Sequence, residues 1–242
     1  MDERLQKILA RCGVSSRRGA EQMMREGRVS VNGVTMLQPG VKADIARDVI
    51  RVDGKVISEA AISRMYLMVH KPRGYVVTLR DPHGRPIVAD LLRGVPERVF
   101  PVGRLDYDSE GLLLMTNDGD FSHRLQHPAF KVPKTYMVKV QGNLTRSDLE
   151  AIRAGVMLDD GFCSPVWVSL EKTNRKSCWV EITILEGRNR IIRRLFESIH
   201  HPVVRLIRTA IADVMLGDLK SGEYRYLQKR EVHRLVAYAQ NG

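Results

Sequence analysis

The chain has 242 residues, 43% of them hydrophobic, enough for one large or two smaller domains whose cores need no cross-links. Its 39 Lys and Arg against 28 Asp and Glu give a net charge of +11, interleaved with acids along the chain, which points to an anionic partner and to nucleic acid ahead of a membrane surface. No run reaches the length of a membrane span, the start Met1-Asp2-Glu3-Arg4 lacks a signal peptide's order, and the scattered cysteines Cys12, Cys163 and Cys178 argue against disulfides and structural zinc, as suits a cytoplasmic protein.

Leu5, Ile8, Leu9 and Cys12 recur at helical spacing and stop at Gly13, predicting a first short helix. A second follows, capped by Ser15 or Ser16, with Ala20, Met23 and Met24 as its apolar stripe and Gly27 at its end. Arg17, Arg18, Arg25 and Arg28 load its exposed side. Val29 and Val31 lead into the hairpin signal Asn32-Gly33, and Ile50 and Val52 into a second, Asp53-Gly54. The unit closes near residue 60.

The order S-S-R-R-G-A-E-Q-M-M-R-E-G-R-V-S-V-N-G, ending in I-R-V-D-G, closely resembles the S4-type RNA-binding domain. In that family the second helix and the following strand face RNA. The resemblance therefore implies RNA contacts at Arg17, Arg18, Arg25, Arg28 and Asn32, within a domain spanning 1–61. A solvated structural appendage is the plainer alternative for such a charge-rich unit.

Beyond a polar joint from Ser58 to Arg64, Tyr66 to Val69 and Tyr75 to Thr78 read as strands around the turn Lys71-Pro72-Arg73-Gly74. A basic loop from Arg80 to Pro86 precedes a brief helix at Ile87 to Leu92. Then comes the stretch Gly103-Arg104-Leu105-Asp106-Tyr107-Asp108-Ser109-Glu110-Gly111, which sets three acids at alternate positions ahead of the apolar run from Leu112. It reads as a shaped loop at the mouth of a buried strand, where functional carboxylates are commonly held. As a calcium loop it fails, because Asn117 stands where a bidentate Glu is required. If the loop is extended as the spacing of its acids suggests, the Asp108 side chain is expected to point away from the site.

A short helix carrying His123 and His127 follows. Arg124 stands where a zincin needs Glu, so these read as surface or structural histidines. Thr135 to Val140 is a strand, and Thr145 with Asp148 forms a variant capping box for a helix ending at Gly155. Pro165 to Leu170 and Cys178 to Leu185 are further strands. From Asn189 to Ile199 runs an amphipathic helix with Ile191, Ile192, Leu195, Phe196 and Ile199 on one side and Arg190, Arg193, Arg194 and Glu197 on the other. Val203 to Ile207, Val214 to Leu216 and Tyr224 to Leu227 complete the strands, and Glu231 to Ala239 is a closing helix. The expected class is α+β, on a mainly antiparallel mixed sheet.

Dinucleotide and Walker fingerprints and the G-x-S-x-G elbow are all missing from the sequence. What stands instead is H-K-P-R-G-Y, P-V-G-R-L-D-Y-D-S-E-G-L-L-L-M-T-N-D-G, K-T-Y-M-V-K-V and E-G-R-N-R-I-I-R-R-L, in this order behind the S4-like unit. The set is similar to the ribosomal RNA pseudouridine synthases of the RsuA/RluB class and covers nearly the whole chain. His70, Met115 and the pair Ile191-Ile192 depart mildly from the family pattern.

The resemblance implies a catalytic domain over 65–242 in which Asp106 is the essential carboxylate, Tyr136 its aromatic partner and Arg193 its basic partner. Periodicity alone does not separate Arg193 from Arg190 or Arg194. It further implies isomerisation of a uridine in ribosomal RNA, large-subunit before small-subunit, on free RNA or an assembly intermediate, by a cytoplasmic monomer without metal or cofactor. Arg104, Arg190 and Arg194 are expected RNA contacts. A non-catalytic RNA-binding module would share the basic surface without needing Asp106, Tyr136 and Arg193 together. A metal-dependent nuclease would instead use the acids as magnesium ligands.

Overall fold

Both hairpin signals of the amino-terminal segment fold as tight turns. Asn32 and Gly33 take φ of 51° and 84°, and Asp53 and Gly54 take 49° and 78°. Two consecutive left-handed residues match the twist of a two-residue hairpin, and Asn, Asp and Gly tolerate that conformation best. They join β2 (Val29–Val31) to β3 (Val34–Thr35) and β5 (Ile50–Val52) to β6 (Lys55–Val56) in a sheet of order β3-β2-β5-β6. A computed structural model of the protein describes residues 2–58 and 63–238.

Ahead of this sheet lie β1 (Glu3–Arg4), α1 (Leu5–Arg11) and α2 (Arg17–Arg25), and β1 pairs with β4 (Lys42–Ala43). Ser16 is the residue that caps α2, its Oγ accepting from the Gly19 amide at 3.0 Å, a contact worth about 1 kcal/mol in such positions. Leu5, Ile8, Leu9, Ala20, Met24, Val29 and Ile50 form the buried core. Residues 1–65 cluster with 95–99 and 117–119 as one compact unit. Asn117 contributes to it, accepting from the Met65 amide at 2.8 Å and donating to the Ser63 carbonyl at 2.8 Å. Much of the predicted joint, residues 59–62, lies outside the described residues, as does Ala239 of the closing helix.

The second unit is built on a nine-stranded sheet. In chain order its elements are β7 (Tyr66–Lys71), a 3-10 turn (Val88–Leu91), β8 (Phe100–Val102), β9 (Glu110–Thr116) and α3 (Gly119–Gln126). Then come β10 (Lys134–Gln141), α4 (Arg146–Ala154), β11 (Val156–Leu158), β12 (Gly161–Cys163), β13 (Trp167–Asn174), β14 (Ser177–Ile184) and α5 (Ile191–Ser198). The chain closes with β15 (Val203–Ile211), β16 (Val214–Met215), β17 (Tyr224–Tyr226) and α6 (Lys229–Tyr238). The sheet runs β13-β14-β10-β15-β9-β7-β17, with β8 on β9 and β16 on β15, and only the β15–β9 pairing is parallel. The expected α+β class with a mainly antiparallel mixed sheet is what the chain adopts.

β9 is buried along its whole length, and Leu112, Leu114, Met68, Phe121, Leu125, Ile211 and Leu235 pack as one core. The Thr145–Asp148 capping box forms as expected, with reciprocal bonds of 2.7 and 3.2 Å. No helix among the described residues is long and apolar enough to cross a membrane.

Two expectations are corrected. Tyr75 to Thr78 is not a strand: it keeps a single bridge, Val76 with Ile87, because β7 is already paired by β9 on one side and β17 on the other. The strand expected from Pro165 starts at Trp167 and continues to Asn174. Between α4 and β13, β11 and β12 form a small hairpin.

Candidate active site

The acidic stretch is a turn rather than an extended loop. The Ser109 amide donates to the Asp106 carbonyl at 3.1 Å, closing a four-residue reversal, and the Gly74 amide donates to the Tyr107 carbonyl at 2.8 Å. Lys71, fully buried at the end of β7, donates from Nζ to the carbonyls of Ser109 at 2.7 Å and Pro72 at 2.9 Å. Sequence reading missed this lysine; its sign was a charged residue ending an apolar strand just before a Pro-x-Gly turn. Burial pushes its ammonium down to about 8, opposed by the nearby Asp108, Asp106 and Glu110 carboxylates.

The turn directs Asp108 toward Arg193, so the expectation that its side chain points away is overturned. The Asp108 Oδ2 lies 3.0 Å from Arg193 Nη2, and its Oδ1 lies 3.6 Å from Arg190 Nη1. Glu110 has a separate partner in Arg205 of β15, at 2.5 and 3.1 Å. With these carboxylates bound to different arginines, the segment is not arranged as a calcium loop. Asp106 is half-buried and makes no ion pair within 4 Å among the described residues. It still contributes to the field on Arg193.

Arg193 is the second correction. It was placed on the polar side of its helix, yet it is only 5% exposed. Its Nη2 donates to the Asp108 carbonyl at 3.3 Å and the Ser109 hydroxyl at 3.4 Å, and its Nη1 to the Val203 carbonyl at 3.3 Å. Burial pulls the guanidinium below its ordinary value, opposed by Asp108 and, more weakly, by Asp106. Position along a helix cannot distinguish an arginine whose guanidinium is buried against a carboxylate from one that stays in water.

Tyr136, 7% exposed, stands in β10. Across the sheet Ile182, Tyr136, Arg208, Gly111 and Lys71 are successive Cα partners. At the usual interstrand spacing the Tyr136 and Gly111 backbones are therefore about 10 Å apart, with one strand between them. Tyr136 and Arg208, directly opposite each other, face the same side of the sheet. Arg208 is buried, its Nε donating to the Leu112 carbonyl at 2.7 Å.

Of the other predicted contacts, Arg104 is exposed, and Arg190 caps α5 in a left-handed conformation with φ of 47°. Arg194 is committed elsewhere. It makes two bonds of 2.8 Å to Asp160 in the turn between β11 and β12, and Arg188 grips the same hairpin through Asp160, Gly161 and Phe162. In the amino-terminal unit, Arg17 and Arg18 are exposed with no side-chain partner among the described residues. Arg25 is also exposed and bonds Gln22 at 3.4 Å. Arg28 is held by Asp53 at 2.7 and 2.9 Å, and the Asn32 amide is used by Asp48 and the Val49 amide.

The comparisons with known proteins agree with this architecture. The RNA pseudouridylate synthase family model matches residues 65–198, and the S4 domain model residues 3–50. The ribosomal large subunit pseudouridine synthase B of Bacillus subtilis is 43% identical over 244 aligned positions, covering 99% of this chain and 98% of that protein. An uncharacterized RNA pseudouridine synthase of Aquifex aeolicus is 40% identical, covering 97% and 94%. A crystal structure of a pseudouridylate synthase superposes with a TM-score of 0.67 at 30% identity, covering 96% of this chain and 99% of that one. The chain belongs to the RNA pseudouridylate synthase family and carries an S4 domain ahead of its catalytic region.

Proposed function

We propose that this pseudouridine synthase isomerises a uridine of large-subunit ribosomal RNA, with Asp106 as the essential carboxylate, Tyr136 as the aromatic partner and Arg193 as the basic partner. The reading of the target rests on the Bacillus subtilis relative, named for the large ribosomal subunit and matched over its whole length. The single observation that carries the site is the buried Arg193 guanidinium set against the turn that begins at Asp106.

The N1–C1′ bond of uridine breaks, the base turns, C5 bonds to C1′, and the proton leaves C5 as N1 gains one. Atoms and electrons balance, so neither a redox partner nor an energy source is required. An ionised carboxylate can attack or stabilise the separated sugar, a fixed cation favours that ionised form, and a phenol can stack on the base and assist proton removal. The base must leave its stack to reach them, which favours looped or transiently open RNA, and Arg104, which is exposed, is our candidate for filling the vacated space. We assign residues 1–61 to RNA binding and 65–242 to catalysis, in a cytoplasmic monomer acting on ribosomal RNA or an assembly intermediate. Within the first domain Arg17, Arg18 and Arg25 are the foremost candidates for phosphate contacts.

The decisive assay is pseudouridine formation on deproteinised ribosomal RNA from a strain lacking the enzyme, with EDTA present and no added cofactor. Asp106→Asn should fold, bind RNA with little change and show no turnover. Full activity in that variant would remove Asp106 from the mechanism.

A further inference from the structure

We infer that Asp108 is a positioning residue: it holds Arg193 beside the Asp106 turn before RNA arrives and acts on the reaction through that guanidinium. The inference rests on the reading of Arg193 as the basic partner. Its first support is the hierarchy of contacts around Arg193. The 3.0 Å ion pair to Asp108 Oδ2 is its shortest, the other bonds are 3.3 to 3.4 Å long, and the buried Nε has no partner among the described residues. A desolvated cation with so few good bonds is fixed chiefly by the carboxylate that pairs with it.

The second support is Arg190. It opens α5 in a left-handed conformation with φ of 47°, which non-glycine residues adopt at some cost, and its Nη1 lies 3.6 Å from the free side of the same carboxylate. Asp108 thus bridges two arginines one helical turn apart, one buried and one half-exposed. Asp106 has no such contact and shares Arg193 only through its field. The division of labour follows: Asp108 pins the cation, leaving the carboxylate of Asp106 unengaged for the substrate. Pre-paid desolvation and orientation of this kind act on the chemical step and leave the affinity for RNA largely unaltered.

The test is a double-mutant cycle on pseudouridine formation, read as kcat and KM, with RNA affinity measured separately. Asp108→Asn should lower kcat by about tenfold to a hundredfold while KM stays within about threefold, the range expected for losing one charge-assisted contact. Asp108→Glu, which keeps the charge, should recover part of that loss. Combining Asp108→Asn with Arg193→Met should be no slower than Arg193→Met alone, because the first residue works through the second. Should the Asn variant not fold, Asp108→Ser takes its place in the cycle. Unchanged kcat in Asp108→Asn, or losses that multiply in the double variant, would overturn the inference while leaving the role of Arg193 intact. Full turnover in Arg193→Met would instead remove the underlying reading, and this inference with it.

Discussion

Gly111 and Arg208 face each other where β9 runs parallel to β15, and a Cβ on Gly111 would lie 2.3 Å from the Arg208 carbonyl oxygen. With φ of 106° at Gly111, both the conformation and the space require glycine. This contact joins the strand that follows the Asp106 turn to the strand beside Tyr136. Gly111→Ala should therefore cost more than about 4 kcal/mol or abolish folding, as overlap with backbone cannot be relieved by a rotamer change. Gly84→Ala, at φ of 69° with no atom within 4 Å of the added Cβ, should cost only about 1 to 2 kcal/mol. Urea midpoints of the two variants make the comparison, and equal losses would contradict it.

Arg194 was expected to touch RNA, but its guanidinium is committed to Asp160. Arg194→Met should lower the melting temperature by a few degrees and leave the salt dependence of RNA binding unchanged. Asp160→Asn, which also deprives Arg188 of a partner, should lower it further, and the two effects should overlap when combined. A reduced salt slope for Arg194→Met would return this residue to the RNA surface.

In the amino-terminal domain the arginines should separate by their existing partners. Arg17→Ala and Arg18→Ala should each reduce the slope of log affinity against log salt by about 0.7 to 0.9, the effect of one lost phosphate contact. Arg28→Ala should change the slope less, because Asp53 already neutralises that guanidinium. Asn32→Ala should show mainly as reduced stability, since its side-chain amide ties the β2–β3 turn to Asp48 and Val49 ahead of β5. Filter binding or fluorescence titration across a salt series separates the four.

Stability should rise between pH 8 and pH 9. Burial lowers Lys71 and Lys134 from 10.5 to about 8, so above pH 8 the unfolded chain holds protons that the folded chain has released. The slope is then positive, at most about 1.4 kcal/mol per pH unit for each lysine, while below pH 8 the full penalty of burying the cations remains. Above pH 9 the Cys163 thiol, pushed up to about 11 by burial, opposes the trend because only the unfolded thiol loses its proton there. Lys134→Met should flatten the rise measured by urea unfolding at pH 8.0 and 9.0. An unaltered slope would mean that Lys134 is charged throughout.

The sequence by itself determined the elements whose causes are local. Asn32-Gly33 and Asp53-Gly54 specify their hairpins because few residues tolerate consecutive positive φ, and Thr145 with Asp148 specifies a helix start through bonds three residues apart. The ordered motifs around Asp106, Tyr136 and Arg193 likewise marked the family and its chemistry. Tertiary structure decided which acid meets which base. Sequence spacing alone does not say which base each of Asp106, Asp108 and Glu110 meets: a turn closed from Ser109 to Asp106 brings Asp108 to Arg193, while Glu110, already in β9, meets Arg205. Helical periodicity set Arg193 beside Arg190 and Arg194 as one polar face, and only packing separates the one turned inward from the one bound to the β11–β12 hairpin. The strand expected at Tyr75 failed for the same reason: its place on the sheet is taken by β17, some 150 residues later in the chain, and no local propensity records that competition.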